Sequence, residues 1–98
     1  MTTSEDRLAR ALESAVEDLE FRLDAASIEF DTFTSVNSSQ YVIVFAEGER
    51  LAYITAEASE DDMPVVFVDI YGVAPDGAEC WICGDLSVDA AYLYIAEA

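Results

Sequence analysis

The stretch Gln40-Tyr41-Val42-Ile43-Val44-Phe45-Ala46-Glu47-Gly48-Glu49-Arg50-Leu51-Ala52-Tyr53-Ile54-Thr55-Ala56 decides how this chain folds. Two runs rich in β-branched and aromatic residues, Tyr41 to Ala46 and Leu51 to Ala56, flank the short acidic loop Glu47-Gly48-Glu49-Arg50. A loop of this length containing a glycine is common in hairpins. Successive side chains of a strand point to opposite faces. Val42, Val44 and Ile54 then fall on aliphatic faces and Tyr41, Phe45 and Tyr53 on aromatic ones, so the hairpin is apolar on both sides. A sheet built around it needs cover on each side, from its own chain or from a partner.

On the N-terminal side, Thr3 to about Ala26 carries Leu8, Leu12, Ala15, Val16, Leu19 and Leu23 at the spacing of one buried helical stripe. Thr3 and Asp6 make a capping-box pattern with Asp in place of Glu. Asp6 and Arg10, and Asp18 and Arg22, sit one helical turn apart, a spacing that allows exposed ion pairs. The stripe predicts a lid over the aliphatic side of the sheet. Ser27 to Thr34 alternates like a half-buried strand, with Ile28, Phe30 and Thr32 on one side and Glu29, Asp31 and Phe33 on the other, and Asn37-Ser38-Ser39 supplies the turn into the hairpin.

Beyond the hairpin, the acidic loop Glu57 to Asp62 ends at Pro64, and Val65 to Tyr71 reads as a strand. Val66, Val68 and Ile70 continue its aliphatic face, while Phe67, Asp69 and Tyr71 share the other. Pro75-Asp76-Gly77 is a turn. Ala78 to Ile82 predicts a strand ending at Gly84. Residues 86–96 fit either a further strand or a short helix capped by Ser87. The helix, which is preferred, sets Ala90, Ala91, Tyr94 and Ile95 near one side as cover for the aromatic face. The expected fold is α+β and a single domain over 1–98: an N-terminal amphipathic helix packed on an antiparallel β-meander, with a C-terminal strand or short helix.

At 98 residues and 10.7 kDa the chain is long enough for one core without staples, and 53% hydrophobic residues argue against disorder. No apolar run approaches the roughly 20 residues of a membrane span, and no basic region precedes an apolar stretch as in a secretory signal. A soluble cytoplasmic protein is expected.

Charge is the outlying property: 21 Asp and Glu face 4 Arg, with no Lys and no His, for a net charge of −17. The absence of His and Lys removes the usual general base, Schiff-base amine and phosphate-binding lysine, and no Gly-rich phosphate loop or nucleophile elbow occurs. The reading is a binding protein, not an enzyme, with no cofactor. Cys80-Trp81-Ile82-Cys83 has the spacing of a redox or metal motif. A thioredoxin-like site would open a helix, whereas Gly84-Asp85 follows here, and a zinc site would need two more ligands. Two structural cysteines beside a buried Trp81 are expected instead. The acidic loop at Glu57 to Asp62 lacks the alternating ligands and central glycine of an EF-hand, so no metal is expected.

The distribution of charge says more than any motif. Residues 1–26 hold seven acids and three arginines, a net −4, whereas residues 27–98 hold 14 acids and only Arg50, a net −13. Duplex DNA carries one charge per about 110 Å² of its cylinder, against one per about 320 Å² if the chain's charge were spread evenly. Gathering it on one side closes that gap. Glu29 and Asp31, two apart on a strand, are separated by about 6.8 Å, near the phosphate spacing of a nucleic-acid strand. Glu13, Glu17, Glu20 and Asp24 climb one helix face in steps of about 5 to 6 Å.

Size, the α+β pattern, the missing His and Lys, and acids such as Glu47, Glu49, Glu60, Asp61 and Asp62 together resemble the small acidic DNA-mimic inhibitors that phages and mobile elements direct against restriction and CRISPR systems, anti-CRISPR proteins being the most similar. The resemblance implies a protein of an infected or element-carrying host cell. It would occupy the basic DNA-binding groove of a Cas effector or restriction-type complex, carboxylates standing where phosphates would lie, without binding nucleic acid or membrane. The candidate partner-binding residues are Glu29, Asp31, Glu47, Glu49, Glu57, Glu60, Asp61, Asp62 and Asp69, with Phe67 and Tyr71 as an apolar anchor. Two rival readings stay open: a halophile-adapted acidic domain of unrelated role, and a homodimeric interaction module joined through the aromatic face.

Overall fold

A leucine stripe on a helix and an alternating sheet each leave one apolar side in need of the other. The computed structural model, which describes residues 4–34, 40–61 and 63–97, brings them together. Helix α1 (Ser4–Ala25) leads into β1 (Phe30–Thr34), β2 (Gln40–Phe45), β3 (Arg50–Ala58), β4 (Pro64–Val73) and β5 (Glu79–Leu86), and α2 (Val88–Glu97) follows. The five strands form one antiparallel sheet in chain order, the α+β meander expected from the sequence. The cap residue Thr3 and the turn at Asn37-Ser38-Ser39 lie outside the described residues.

Leu12, Val16, Leu19 and Leu23 of α1 are buried against Ile43, Phe45, Ala52, Ile54, Val68 and Ile70 of the sheet. The helix ends in a Schellman motif: Ile28 N–H donates to the Leu23 carbonyl and Ser27 N–H to that of Asp24, with Ser27 left-handed at φ 60°. Ile28, carried back onto the core by this turn, starts the approach to β1.

Loop length fixes the two faces of the hairpin. Residues 46–49 pair Phe45 with Arg50, so Tyr41, Ile43 and Phe45 share an inner face with Ala52 and Ile54, while Val42 and Val44 share the outer face with Leu51 and Tyr53. The expected separation into aliphatic and aromatic faces is corrected accordingly. Phe45 is core, and the two valines stand with Tyr53. Ala46 leaves the strand, turning left-handed together with Glu47 and Gly48. In β4 the expectation matches the register: Val66, Val68 and Ile70 face inward, opposite Ala56, Ile54 and Ala52.

Two C-terminal expectations change. β5 does not stop at Gly84; two register shifts carry it on to Leu86, opposite Val68, with Asp85 left-handed at φ 56°. The helix reading of the last segment is correct, and Ser87 caps it through its Oγ, which accepts from Ala90 N–H at 3.1 Å. Helix α2, however, covers the inner face. Leu86 turns the chain inward, and Ala91 and Ile95 enter the same core as the α1 stripe. Arg22 of α1, paired with Asp18, also bridges to Asp89 at the start of α2. Both carboxylates raise the Arg22 guanidinium above its ordinary pKa.

Both helices therefore lie on one side, and no described element covers the outer face. The surface of 6301 Å² exceeds the roughly 5,500 Å² expected for this mass, as a sheet open on one side requires.

Candidate functional site

Strand register builds the outer face row by row. Phe33 pairs with Val42, Val42 with Tyr53, and Tyr71 with Trp81. The rings of Tyr53 and Tyr71 meet edge to face at 5.1 Å and 78°. One apolar row, Phe33–Val42–Tyr53–Tyr71–Trp81, thus crosses all five strands. Its ends are the most open, Phe33 at 56% and Trp81 at 62% exposure. Trp81, expected to be buried, is corrected to a surface residue because its pairing with Tyr71 turns it away from the helices. Val44, Leu51 and Phe67 widen the row.

Carboxylates flank it. Asp31 and Glu79 lie toward the end of the sheet that holds the β2–β3 loop, opposite Val44 and Val73, while Asp69 is opposite Tyr53 and Glu57 opposite Val65. Among the described residues no cation shares this face: Arg7, Arg10 and Arg22 belong to α1, and Arg50, paired with the buried Phe45, points to the helix side. Tyr53 Oη donates to the Glu79 carboxylate, and this bond, with some burial added, pushes the phenol up to about 12. Asp69 Oδ1 accepts Asp85 N–H at 3.2 Å, which ties the β5 bulge to β4. A Cβ at Gly84 would collide with that carboxylate, so glycine is the residue that lets the bulge sit there.

The structure sorts the candidate residues into three places. Asp31, Glu57, Asp69, Phe67 and Tyr71 are on the outer face. Glu29 and Glu47 join Asp24 and Asp31 around a shallow depression at one end of the sheet, with Glu49 in the adjoining loop. Glu60 and Asp61 lie in the turn after β3, which Ser59 closes through its bonds to Met63, and Asp62 lies outside the described residues. The nine residues of β3 hold these ends about 30 Å apart. The acidic loops do not converge on one end, because a hairpin and the one after it must turn at opposite ends.

Phe33, Tyr53, Glu79 and Trp81 belong to the face but were not among the candidates. Their alternation within each strand was visible in the sequence; the register that joins them across strands was not. Among the described residues no three His, Cys, Asp or Glu are placed to hold a metal ion. Cys80, exposed, and Cys83, half-buried, are free thiols within β5. No helix among the described residues is long and apolar enough to cross a membrane. Comparison with protein-family models, curated proteins and solved structures finds no match to this chain.

Proposed function

We propose that the chain is a non-catalytic acidic inhibitor that docks on the basic DNA-binding surface of a host defence nucleoprotein complex, an anti-CRISPR role being the leading instance, and excludes DNA there from within the host cytoplasm. The observation that carries the reading is a net charge of −17 in which the few cations all lie on one side. The outer sheet face and the loops at both of its ends present carboxylates, while every arginine lies on α1 or faces its side of the sheet. Acids about 30 Å apart span roughly nine base pairs of duplex, a scale on which a groove lined with Arg and Lys meets many phosphates. Carboxylates placed there form charge-assisted pairs with the same donors. An open apolar row between the acids adds an anchor that a phosphate backbone lacks.

The test is a competition experiment: the protein is titrated into a Cas effector or restriction complex together with labelled target DNA. Mutual exclusion that weakens as salt rises is expected. Replacing acids at both ends at once, Glu29→Lys, Glu47→Lys, Glu60→Lys and Asp61→Lys, should abolish exclusion while the circular dichroism spectrum is retained, because all four side chains are exposed. Simultaneous binding of DNA and protein, or inhibition that survives the four reversals, overturns the reading.

A further inference from the structure

We propose that the outer sheet face receives a basic amphipathic helix of the partner protein, its apolar stripe lying along the row Phe33–Val42–Tyr53–Tyr71–Trp81 and its Lys and Arg flanks meeting Asp31 and Glu79 on one side and Glu57 and Asp69 on the other. This deepens the inhibitor reading and rests on it, naming the contact surface and the chemistry of what sits there.

Dimensions fit first. Five strands place the outermost two about 19 Å apart, which a helix covers with about 13 residues. The sheet already accepts one helix on its inner side, where Leu12, Val16, Leu19 and Leu23 of α1 pack chiefly over β3 and β4. Charge selects the occupant. Its flanks must be cationic, because the row is bordered by carboxylates on both sides and, among the described residues, the face bears no cation of its own. A second copy of this chain would set Asp31, Glu57, Asp69 and Glu79 against the same four groups. Nucleic acid would bring phosphates to them, and an anionic membrane surface would be repelled in the same way. A helix with an apolar stripe between basic edges satisfies both features, and helices of this composition are common where proteins grip DNA.

Trp81 supplies the readout, being the only tryptophan in the chain and standing open at the end of the row. The probe is a tryptophan-free helical peptide of about 16 residues with a leucine stripe and arginine flanks; its comparator carries glutamate flanks. The arginine peptide should shift Trp81 emission to the blue with saturation, and the glutamate peptide should leave it unchanged. Phe33→Ser, at an exposed position that leaves the core intact, should weaken the arginine peptide by about tenfold. Asp31→Asn combined with Glu57→Gln should weaken it and flatten its salt dependence. Equal response to the two peptides, or none, overturns the proposal. So does a blue shift that grows with protein concentration alone, which would mean self-association, or one produced by duplex DNA or anionic vesicles. The DNA competition run beside it separates the two readings. Exclusion of DNA without a peptide response leaves the inhibitor standing and removes this face from it, whereas a peptide response without exclusion does the reverse.

Discussion

The two faces of one sheet are made from the same strands and differ in nearly everything else. Inner positions carry Ile43, Phe45, Ala52, Ile54, Val68 and Ile70, all buried, and among the described residues no polar or charged residue is buried with them. Ala52 and Ala56, opposite Ile70 and Val66, are small enough for α1 to approach β3 closely. Outer positions carry larger, amphipathic side chains, Tyr53, Tyr71 and Trp81, mixed with carboxylates and left half-covered or open. The inner face is a solved packing problem, and no described element covers the outer one. Leaving apolar area in water forgoes about 25 cal/mol per Å² and invites self-association. A net charge of −17 opposes that association without covering the face.

The strongest way to break this contrast is to cut the same kind of hole in each face. Leu19, fully buried at 0% exposure, should lose about 2 to 5 kcal/mol on Leu19→Ala, a large part of a small domain's stability. Val44→Ala, on the outer face and only half-buried, should cost under about 1 kcal/mol because water already reaches the site. Urea melts of the two variants measure both. Equal losses would mean that the outer face is packed in solution.

What the sequence disclosed of this contrast follows from the range of the physics involved. Periodicity is local, so the α1 stripe, the alternation of β1 and β4 and the cap at Ser87 were all legible from neighbouring residues. Register is not local. Whether Val42 shares a face with Tyr53 or with Ile54 depends on the number of residues in the loop, and a four-residue loop puts Val42 on the face of Tyr53 whether it spans 47–50, as expected, or 46–49, as found. Sorting the side chains by type, aliphatic against aromatic, missed this. The destination of α2 depends on the direction in which Leu86 leaves the sheet, which the bulge at Asp85 sets. For the candidate site, composition pointed to acids and aromatics, but only the meander's alternating ends show which acids can act together. Glu29 and Glu47 share one end, and Glu60 and Asp61 occupy the other.

The bulge offers a sharper test, of intermediate size. Gly84→Ala drives a methyl group into the Asp69 carboxylate and costs the bond from Asp85 N–H, so a loss of about 1 to 2 kcal/mol is expected. The two positions act as a unit, and the cost should shrink in an Asp69→Ala background where the carboxylate is gone. A double-mutant cycle by urea melts checks this, and strict additivity would show that Asp69 does not hold the β5 edge.

The smallest effect is a dependence on pH confined to the outer face. The Tyr53 hydroxyl donates to the Glu79 carboxylate, and the phenol is raised from its ordinary 10.0 to about 12. A raised pKa means that the folded chain holds this proton more tightly than the unfolded one. The contribution is complete below pH 10, declines as the pH climbs from there because the unfolded tyrosine ionises first, and is lost once the folded phenol ionises near 12. Tyr53→Phe removes both the proton and the bond. Its stability should fall less steeply than that of the parent across this alkaline window, while the gap between the two stays constant at lower pH. Glu79→Gln should bring the Tyr53 ionisation back toward 10, read as tyrosinate absorbance against the other tyrosines. Leu19→Ala, which acts on the face with no titrating group among its buried residues, should lower stability by the same amount at every pH. Parallel pH curves for Tyr53→Phe and the parent would mean that the Tyr53–Glu79 bond is not kept in solution and that the acids of the outer face stand free of its aromatic row.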